Sequence, residues 1–323
     1  SFGLGSATPG KMYFLDFTHG NKPYVLQQMD NNMGSITRVS YGSSITHYLR
    51  DEKKTDTKWK TDLPFPVQVV NRVEVLDILS GGKLVTEYNY HNGYWDGVER
   101  EFRGFAHVDS FDTESFTSYN IQDLFVASET EFGTKVNTVA PKHYSPPVMT
   151  KSWFYVGPVG DGYSRWHEPD FSGEYWAGDV QVLHEENKAN HLNLLKKYPR
   201  WAQREALRTL RGSLLRSELY ALDNSDLQDR PYTVTESCMS FKLKFPLETE
   251  ISTTVETITR NVFGSTVAEQ NTAVSSHCVF FSFNISQRTT QYERGTDPMH
   301  SFSFTKEYDD YGQALGQLNV GVP

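Results

Sequence analysis

The stretch "HNGYWDGVEREFRGF", residues 91–105, contains two dipeptides that favour reverse turns, Asn92-Gly93 and Asp96-Gly97. Asparagine, aspartate and glycine tolerate the left-handed backbone conformation that a tight turn between strands requires. After the second dipeptide, apolar and polar residues alternate as far as residue 109 with the period of two that is typical of a β-strand. The stretch therefore predicts a β-hairpin.

The alternation gives the predicted strand one dry face and one mostly solvated face. The dry face carries Val98, Phe102, Ala106 and Val108, together with Arg100 and Gly104. The solvated face carries Glu99, Glu101, Arg103, His107 and Asp109, together with Phe105. Two residues apart on a strand, the Cα atoms of Glu99 and Glu101 are expected about 6.5–7 Å from each other.

Two carboxylates at that spacing also occur in inverting glycosidases, where they flank a sugar across a cleft. Glycosidase pairs usually come from different elements, whereas here Arg103 follows Glu99 and Glu101 on the same strand face. A ladder of alternating charges explains all three residues, so both glutamates are predicted to be structural or solvent-facing. No enzyme motif is found, and the ten histidines are scattered without metal-ligand spacing. We therefore expect no catalytic residue, no cofactor and no metal site.

The alternation recurs along the chain and predicts a mainly β, antiparallel fold. Further strands are predicted over residues 24–29, 36–43, 67–79, 148–156, 213–222, 232–245, 251–262, 274–286, 299–307 and 313–320. Residues 112–147 are expected to form a longer connection, and the glycine-rich residues 157–178 an ordered loop. No linker rich in Pro, Gly and Ser divides the chain, which favours one continuous body over two domains.

The hydrophobic period changes in one segment only. Apolar residues recur there at helical spacing, namely Ala189, Leu192, Leu195, Tyr198, Ala202, Ala206 and Leu210. Pro199 interrupts this stripe, and Gly212 can cap its end. The pattern predicts a helical insertion between about residues 185 and 211 that packs on a sheet.

The composition excludes several classes of protein. The net charge is −9, from 40 acidic and 31 basic residues, which disfavours nucleic acid and anionic membranes as partners. No apolar run is long enough to span a bilayer, so direct membrane insertion is not expected. The two cysteines, Cys238 and Cys278, are predicted to be reduced and buried rather than part of a disulfide scaffold.

Several blocks carry a resemblance to a known family. They include "LPFPVQVVNRVEVLD" (63–77), "TEYNYHNGYWDGVEREFRGFAHVDSFDTE" (86–114), "KPYVLQQMDNNMGSITRVSYGSS" (22–44), "PPVMTKSWFYVG" (146–157), "REALRTLRGSLLRSELYALDNS" (204–225) and "KEYDDYGQALG" (306–316). In this order they resemble the middle region of the B component (TcB) of bacterial insecticidal toxin complexes, which is shared with SpvB-like virulence proteins. The last block resembles one Rhs/YD-type strand-turn-strand unit. The likeness is weak over residues 157–199 and 244–276.

The resemblance implies a function that the residues by themselves do not name. In this family the B and C components together build a hollow β-strand shell around the toxic C-terminal segment of the C component. A propeller outside the present residues docks on the pore-forming A component, and the complex is secreted. The resemblance thus implies a non-catalytic portion of shell wall that encloses the toxic segment until translocation. The autoproteolytic residues of the family belong to the C component, so no catalytic role is transferred to this chain.

The resemblance also implies a division of the chain. Residues 1–20 resemble the tail of a preceding propeller-like module, and residues 21–156 a first shell segment of β-hairpins. Residues 157–211 would be a loop and helical insertion, and residues 212–323 a second shell segment that ends in the YD-like unit.

Two other classes of function remain open at this stage. One is a carbohydrate-binding or adhesion β module, with Trp153, Trp166 and Trp176 as candidate stacking platforms, although buried packing is the favoured explanation for each. The other is a glycosidase-like enzyme that uses Glu99 and Glu101. An exposed aromatic platform would favour the first class, and a cleft with both carboxylates at its floor would favour the second.

Overall fold

The computed structural model describes residues 2–5, 12–15, 24–55, 57–79, 82–112, 146–160, 165–245, 278–309 and 311–322. Most described residues with regular structure lie in antiparallel strands, which confirms the predicted mainly β fold. The strand predicted at 251–262 and nearly all of the connection predicted at 112–147 lie outside the described residues.

One antiparallel sheet of 11 strands dominates the fold, and its strands lie side by side in the order of the sequence. Its strands are β3 (Gln28–Asp30), β4 (Ser35–Ser43), β5 (Gln68–Asp77), β6 (Gly82–Asp96), β7 (Glu101–Asp112), β8 (Val148–Phe154), β11 (Leu214–Ala221), β12 (Thr233–Phe245), β13 (Val279–Gln291), β14 (Met299–Tyr308) and β15 (Ala314–Val322). Two further strand pairs are separate from it, β1 (Phe2–Gly5) with β2 (Met12–Leu15), and β9 (Val159–Gly160) with β10 (Trp166–His167). β8 pairs directly with β11, so the described residues between 155 and 213 form an insertion between two strands that are neighbours in the sheet.

The insertion contains the predicted helices. A 3-10 turn (Ser172–Glu174) precedes α2 (Val182–Leu195) and α3 (Arg200–Arg208), which confirms the helical segment between about 185 and 211. Pro199 lies at the N-cap of α3 and separates the two helices. Proline has no N–H to donate and a fixed φ, so it suits a helix start better than a helix interior.

A third helix, α1 (Ser44–Asp51), was not predicted. Its polar residues His47 and Asp51 are buried, whereas its apolar residues Ile45 and Leu49 are exposed. This arrangement inverts the usual amphipathic pattern, in which the apolar stripe faces the core. Its apolar residues Ile45, Tyr48 and Leu49 still recur at helical spacing, but α1 has only eight residues and is shorter than the window of about 11–18 residues over which that period is measured.

The core lies between the insertion and β12–β13. Buried residues of both helices pack there against aromatic side chains of the sheet, the main members being Leu195, Ala202, Ala206, Leu207, Leu210, Phe241 and Phe280. Cys238 and Cys278 are buried and unbonded, as predicted. The Cys238 thiol lies 3.5 Å from Oδ1 of Asn187 on α2, and burial raises its pKa to about 11. Apolar burial thus fixes the helices to one face of the sheet.

The hairpin at residues 91–105 forms, but with corrections to the predicted turns. Asn92-Gly93 is not a turn, because β6 continues through it to Asp96. Asn92 has φ +56° next to a shift in strand register, so its tolerance of left-handed backbone serves a β-bulge. The only turn between β6 and β7 spans residues 97–100, and β7 therefore begins at Glu101 rather than at Val98.

The edges of the sheet give a first prediction. β3 and β15 are the edge strands, and β15 exposes Leu315, Leu318 and Val320. Unpaired backbone groups and apolar side chains on an edge promote pairing with another chain. Expressed alone, the chain should therefore self-associate, as measured by sedimentation velocity over a range of concentrations.

A variant pair tests whether the edge causes this association. Leu318→Lys should reduce it several-fold, since lysine on an edge strand opposes pairing. Leu192→Lys is the control, because Leu192 is similarly exposed but lies on α2. A monomeric wild-type chain that unfolds cooperatively would contradict the prediction.

Candidate functional site: the two faces of the sheet

A row of charged and aromatic side chains crosses one face of the sheet from β6 to β13. Strand register places His91, His107, Trp153, Arg216, Glu236 and Arg288 side by side along it. The ring centroids of His91 and His107 are 4.6 Å apart, and those of His107 and Trp153 are 4.5 Å apart, both in stacked geometry. Because the insertion packs on this side, we call it the covered face.

Residues 171–181 of the insertion, here called the capping segment, bind this row through polar contacts. Glu174 accepts a hydrogen bond from Trp153 Nε1 at 3.1 Å and lies 3.3 Å from His107 Nδ1. The backbone N–H of Trp176 donates to Glu218 at 2.9 Å. Asp179 contacts Arg216 at 2.8 Å and is fully buried. The capping segment is therefore held by side chains of β7, β8 and β11 rather than by its own regular structure.

Arg216 is the centre of a buried ionic cluster. Its guanidinium lies 2.6 Å from Glu218 and 3.2 Å from Glu236, and Arg288 contacts Glu236 at 2.8 Å. Burial lowers the pKa of Arg216, but the adjacent Glu218 and Asp179 outweigh it and leave the pKa raised. Burial also raises the pKa of Glu236. Buried charges of this kind are tolerated only when they are paired.

A second ionic cluster joins the hairpin to α3. The buried Asp96 carboxylate forms an ion pair with Arg103 and contacts Arg204 of α3 at 2.6 Å. The side chain of Arg103 is 0% exposed, so its prediction as a solvated residue is wrong. Burial lowers the pKa of Arg103. The face of β7 that alternation predicts to be solvated is instead covered by the insertion, whose sequence lies about 100 residues further along.

Glu99 and Glu101 complete this cluster at its solvent side. Glu99 contacts Arg204 at 3.1 Å, and Glu101 contacts Arg211 at 2.9 Å. Arg208 lies between them, 3.5 Å from Glu99 and 3.4 Å from Glu101. Each carboxylate is thus matched by a cation of the segment 204–211, which supports the predicted structural role. Glu99 lies in the turn rather than on the strand, so the two residues do not form the predicted single ladder.

The double variant Glu99→Gln and Glu101→Gln should retain the fold and the assembly. The side chains of both residues are about a quarter exposed, and such pairs are each worth about 0–1 kcal/mol. Because the two carboxylates form four such pairs with residues 204–211, we expect urea unfolding to show a total loss below about 4 kcal/mol. Loss of a hydrolytic activity on a glycoside panel, with the fold intact, would contradict a structural role.

The three tryptophans considered as sugar platforms are packed. Trp153 is fully buried, and Trp166 is 6% exposed with the Arg200 guanidinium 3.4 Å from its ring centroid. Trp176 packs edge-on against Tyr292 at 4.9 Å. Trp153 and Trp166 therefore present no open aromatic face of the kind that stacks on sugars, and Trp176 is partly exposed beside its contact with Tyr292.

The opposite face of the same strands has a different chemistry. Strand register places Val108, Ser152, Ser217, Thr235, Thr289 and Ser301 in one row. The adjacent row contains Ser110, Thr150, Leu219, Thr233, Gln291 and Met299. No side chain in these two rows is ionisable, and their members are partly or fully exposed. We call this surface the hydroxyl face.

Two family models match the sequence of this two-faced sheet. The middle/N-terminal region of insecticide toxin TcdB matches residues 10–133, and its middle/C-terminal region matches residues 205–262. Together they match more than half of the chain. The chain belongs to the insecticidal toxin complex B component family. This result confirms the resemblance that the sequence blocks carry. No curated protein matches the chain.

Solved structures of B component complexes share this fold. A crystal structure of TcdB2-TccC3-Cdc42 is 28% identical, with TM-score 0.61, over 92% of this chain and 12% of that chain. The Photorhabdus luminescens Tc holotoxin pore, with a substitution in TccC3, is 29% identical, with TM-score 0.60 and the same coverage. TcdB2-TccC3 without its hypervariable C-terminal region is 28% identical, with TM-score 0.58, over 94% and 12%. The chain therefore spans about an eighth of the length of these B component structures.

Among the described residues, no helix has both the length and the apolar character needed to cross a membrane.

Proposed function

We propose that the chain is a non-catalytic portion of the shell wall of a B component. In this proposal the shell is completed by a C-type partner and encloses the toxic C-terminal segment of that partner until translocation. Family membership supports this role, as does similarity to structures whose names contain a TcdB2–TccC3 pair and a Tc holotoxin pore. The ion pairing of Glu99 and Glu101 supports a structural rather than a hydrolytic use of the carboxylates.

The observation that carries the proposal is the difference between the two faces of the sheet. A wall that separates a cargo from solvent must present two different surfaces, and an antiparallel sheet can do so because its side chains alternate. The covered face carries the helices and the buried ion pairs, for example Arg216 with Asp179. In the proposal this face is the outer layer, which holds the strands in register.

The hydroxyl face would then line the lumen. An unfolded segment exposes apolar groups and charges of both signs, and a charged or strongly apolar lining would retain it. Serine and threonine hydroxyls, such as those of Ser217 and Thr289, remain hydrated and are neither charged nor strongly apolar. The lining would therefore confine the cargo sterically while leaving it free to depart.

The remaining parts of the assignment follow from the family. Residues 1–20 would be the tail of a propeller-like module, residues 21–156 and 212–323 two shell segments, and residues 157–211 the insertion. Docking on the A-type pore-forming component would use the propeller, outside these residues. The complex would act after secretion, and neither nucleic acid nor direct membrane insertion is part of the function. Closure of the shell would pair the edges β3 and β15 with neighbouring strands.

The proposal predicts that a B component containing this region protects its cargo. The C-type partner is assembled with and without the B component, and both samples are treated with a protease under limiting conditions. The toxic segment should be digested at least ten-fold more slowly in the assembled complex. Equal digestion rates, with complex formation verified by gel filtration, would rule out enclosure and favour an adhesion or docking role.

A matched pair of variants tests the orientation of the wall. Ser217→Leu with Thr289→Leu makes the hydroxyl face more apolar, and the control Asn193→Leu replaces a polar side chain by leucine at an exposed site on α2. The hydroxyl-face variant should slow release of the cargo several-fold while the control should not, because unfolded segments bind apolar surface. The opposite result would place the covered face towards the lumen.

A further inference from the structure

The pairing of β6 with β7 brings together two histidines and an aspartate. His91 lies directly opposite His107, and Asp109 follows His107 on the same strand face. The Nε2 atom of His91 lies 3.3 Å from one carboxylate oxygen of Asp109, and the Nε2 atom of His107 lies 2.9 Å from the other. One nitrogen of each ring thus converges on a single carboxylate.

The other nitrogen of each ring is held by a second carboxylate. His91 Nδ1 lies 2.7 Å from Asp51 of α1, and His107 Nδ1 lies 3.3 Å from Glu174 of the capping segment. A carboxylate at Nδ1 holds a proton there, so a metal that displaces the proton shared by Nε2 and Asp109 gains a neutral ring as its ligand. Histidines that bind metals usually have this arrangement, in which an outer carboxylate fixes the tautomer and orientation of the ring.

We propose that His91 Nε2, His107 Nε2 and the Asp109 carboxylate form a binding site for a divalent transition metal, with zinc as the best match. Two imidazoles and one carboxylate are donors that suit zinc, and ligands about 2.1 Å from a tetrahedral metal lie about 3.4 Å from one another. The His91 distance of 3.3 Å is close to that value and the His107 distance of 2.9 Å is shorter, and one ligand atom from each of the three residues lies within 4.8 Å of the others. Binding would replace the ring protons shared with Asp109 and release them to solvent.

The site is accessible enough to fill from solvent. The three side chains are 15%, 11% and 14% exposed for His91, His107 and Asp109 respectively. Three protein ligands leave a fourth position for water. Because Asp51 and Glu174 belong to α1 and the capping segment, a bound metal would link both elements to the centre of the sheet. This cross-link is independent of cargo enclosure, and it goes beyond the proposed shell function.

One neighbouring cation opposes metal binding and provides a diagnostic variant. The Arg50 guanidinium lies 3.4 Å from both ring nitrogens of His91, although it also pairs with Asp51 at 2.9 Å. Lys60 lies further out, 3.4 Å from Glu174. Removing the charge of Arg50 reduces repulsion of a dication, so Arg50→Gln should raise the affinity several-fold.

The test uses the purified chain after treatment with a chelator. Addition of Co²⁺ should give the intense visible bands of a tetrahedral complex, saturating at one equivalent, and Zn²⁺ should abolish them by displacement. His107→Gln should weaken Zn²⁺ binding more than 100-fold. Asp51→Asn, an outer-carboxylate change, should weaken it roughly 10–100-fold. His300→Gln, a histidine on β14 away from the cluster, should leave the affinity unchanged.

The wild-type titration is decisive even where a variant does not fold, as checked by circular dichroism. Absence of the cobalt bands in the wild type, or Zn²⁺ binding only in the millimolar range, would overturn the proposal. Unchanged binding in a folded His107→Gln variant would also overturn it. Cargo protection is measured without added metal. The metal-site proposal and the shell-wall proposal can therefore each fail without affecting the test of the other.

Discussion

Replacing Arg216 by methionine should lower the free energy of unfolding by about 3–5 kcal/mol, the usual effect of removing one partner from a buried ion pair. The side chain of Arg216 is 0% exposed and contacts Asp179, Glu218 and Glu236 at 2.6–3.2 Å. Methionine fills much of the volume but supplies no charge and no donor. The carboxylates would then remain buried with only part of their hydrogen bonds.

The consequence should extend beyond β11. Asp179 belongs to the capping segment, and Arg216 is one of the contacts that hold this segment on the sheet. We therefore expect the Arg216→Met variant to expose the capping segment to proteolysis before global unfolding. Urea unfolding followed by tryptophan fluorescence measures the loss of stability. Early cleavage within residues 171–181 measures the exposure of the capping segment.

Arg230→Met is the matched control for this prediction. Arg230 is exposed, and substitutions at exposed sites usually change stability by less than about 0.5 kcal/mol. A loss below about 1 kcal/mol for Arg216→Met would mean that the buried cluster contributes little net stability. In that case apolar packing of the insertion would hold the two layers together.

Asp96→Asn should also lower the free energy of unfolding by about 3–5 kcal/mol, because it removes the anion of a buried ion pair rather than the cation. The Asp96 carboxylate is buried and lies between the guanidinium groups of Arg103 and Arg204. Asparagine keeps the size of the side chain but removes the negative charge, so two buried cations would face each other with only the outer carboxylates Glu99 and Glu101, at 3.1 and 3.7 Å, as counter-charges. The loss should appear as detachment of α3 from the hairpin.

Hydrogen exchange can locate this effect. Amides of α3 and of the turn at residues 97–100 should exchange faster in Asp96→Asn, because Asp96 also accepts from the backbone N–H of Val98 at 2.9 Å. The exposed Asp62 provides a control of the same type, Asp62→Asn, for which we expect almost no change. Equal stabilities of the two variants would show that the Asp96 cluster is energetically neutral.

Local sequence patterns lose their predictive power at these buried clusters. Alternation correctly separates the two sides of β7, since side chains of a strand point to opposite faces. It assigns the wrong surroundings to both sides, because Arg103 and His107 look solvated in sequence but are buried under the insertion, whereas Val108 of the predicted dry side lies on the partly exposed hydroxyl face. The presence of a cover depends on residues about 100 positions away, and no local period contains that information.

The same limit applies to α1 and to the cluster of His91, His107 and Asp109. Helix α1 buries His47 and Asp51 because they have polar partners on the sheet, such as Asn71 for His47, so its polar side rather than its apolar side faces the sheet. His91 and His107 are 16 positions apart, a spacing without meaning until β6 pairs with β7. Asp51 and Glu174 then reach the two rings from separate elements. The expectation of no metal site rested on linear spacing alone.

The sequence by itself determined the antiparallel strand class, the helical insertion and the family, because each depends on local periodicity or on contiguous blocks. The tertiary structure showed that each strand of the large sheet pairs with its neighbour in the order of the sequence. Only the tertiary structure decided which face is covered, which charges are buried and which side chains meet across the strands. The physical reason is that strand register and the packing of the insertion bring together residues such as Asp96 and Arg204, which are 108 positions apart.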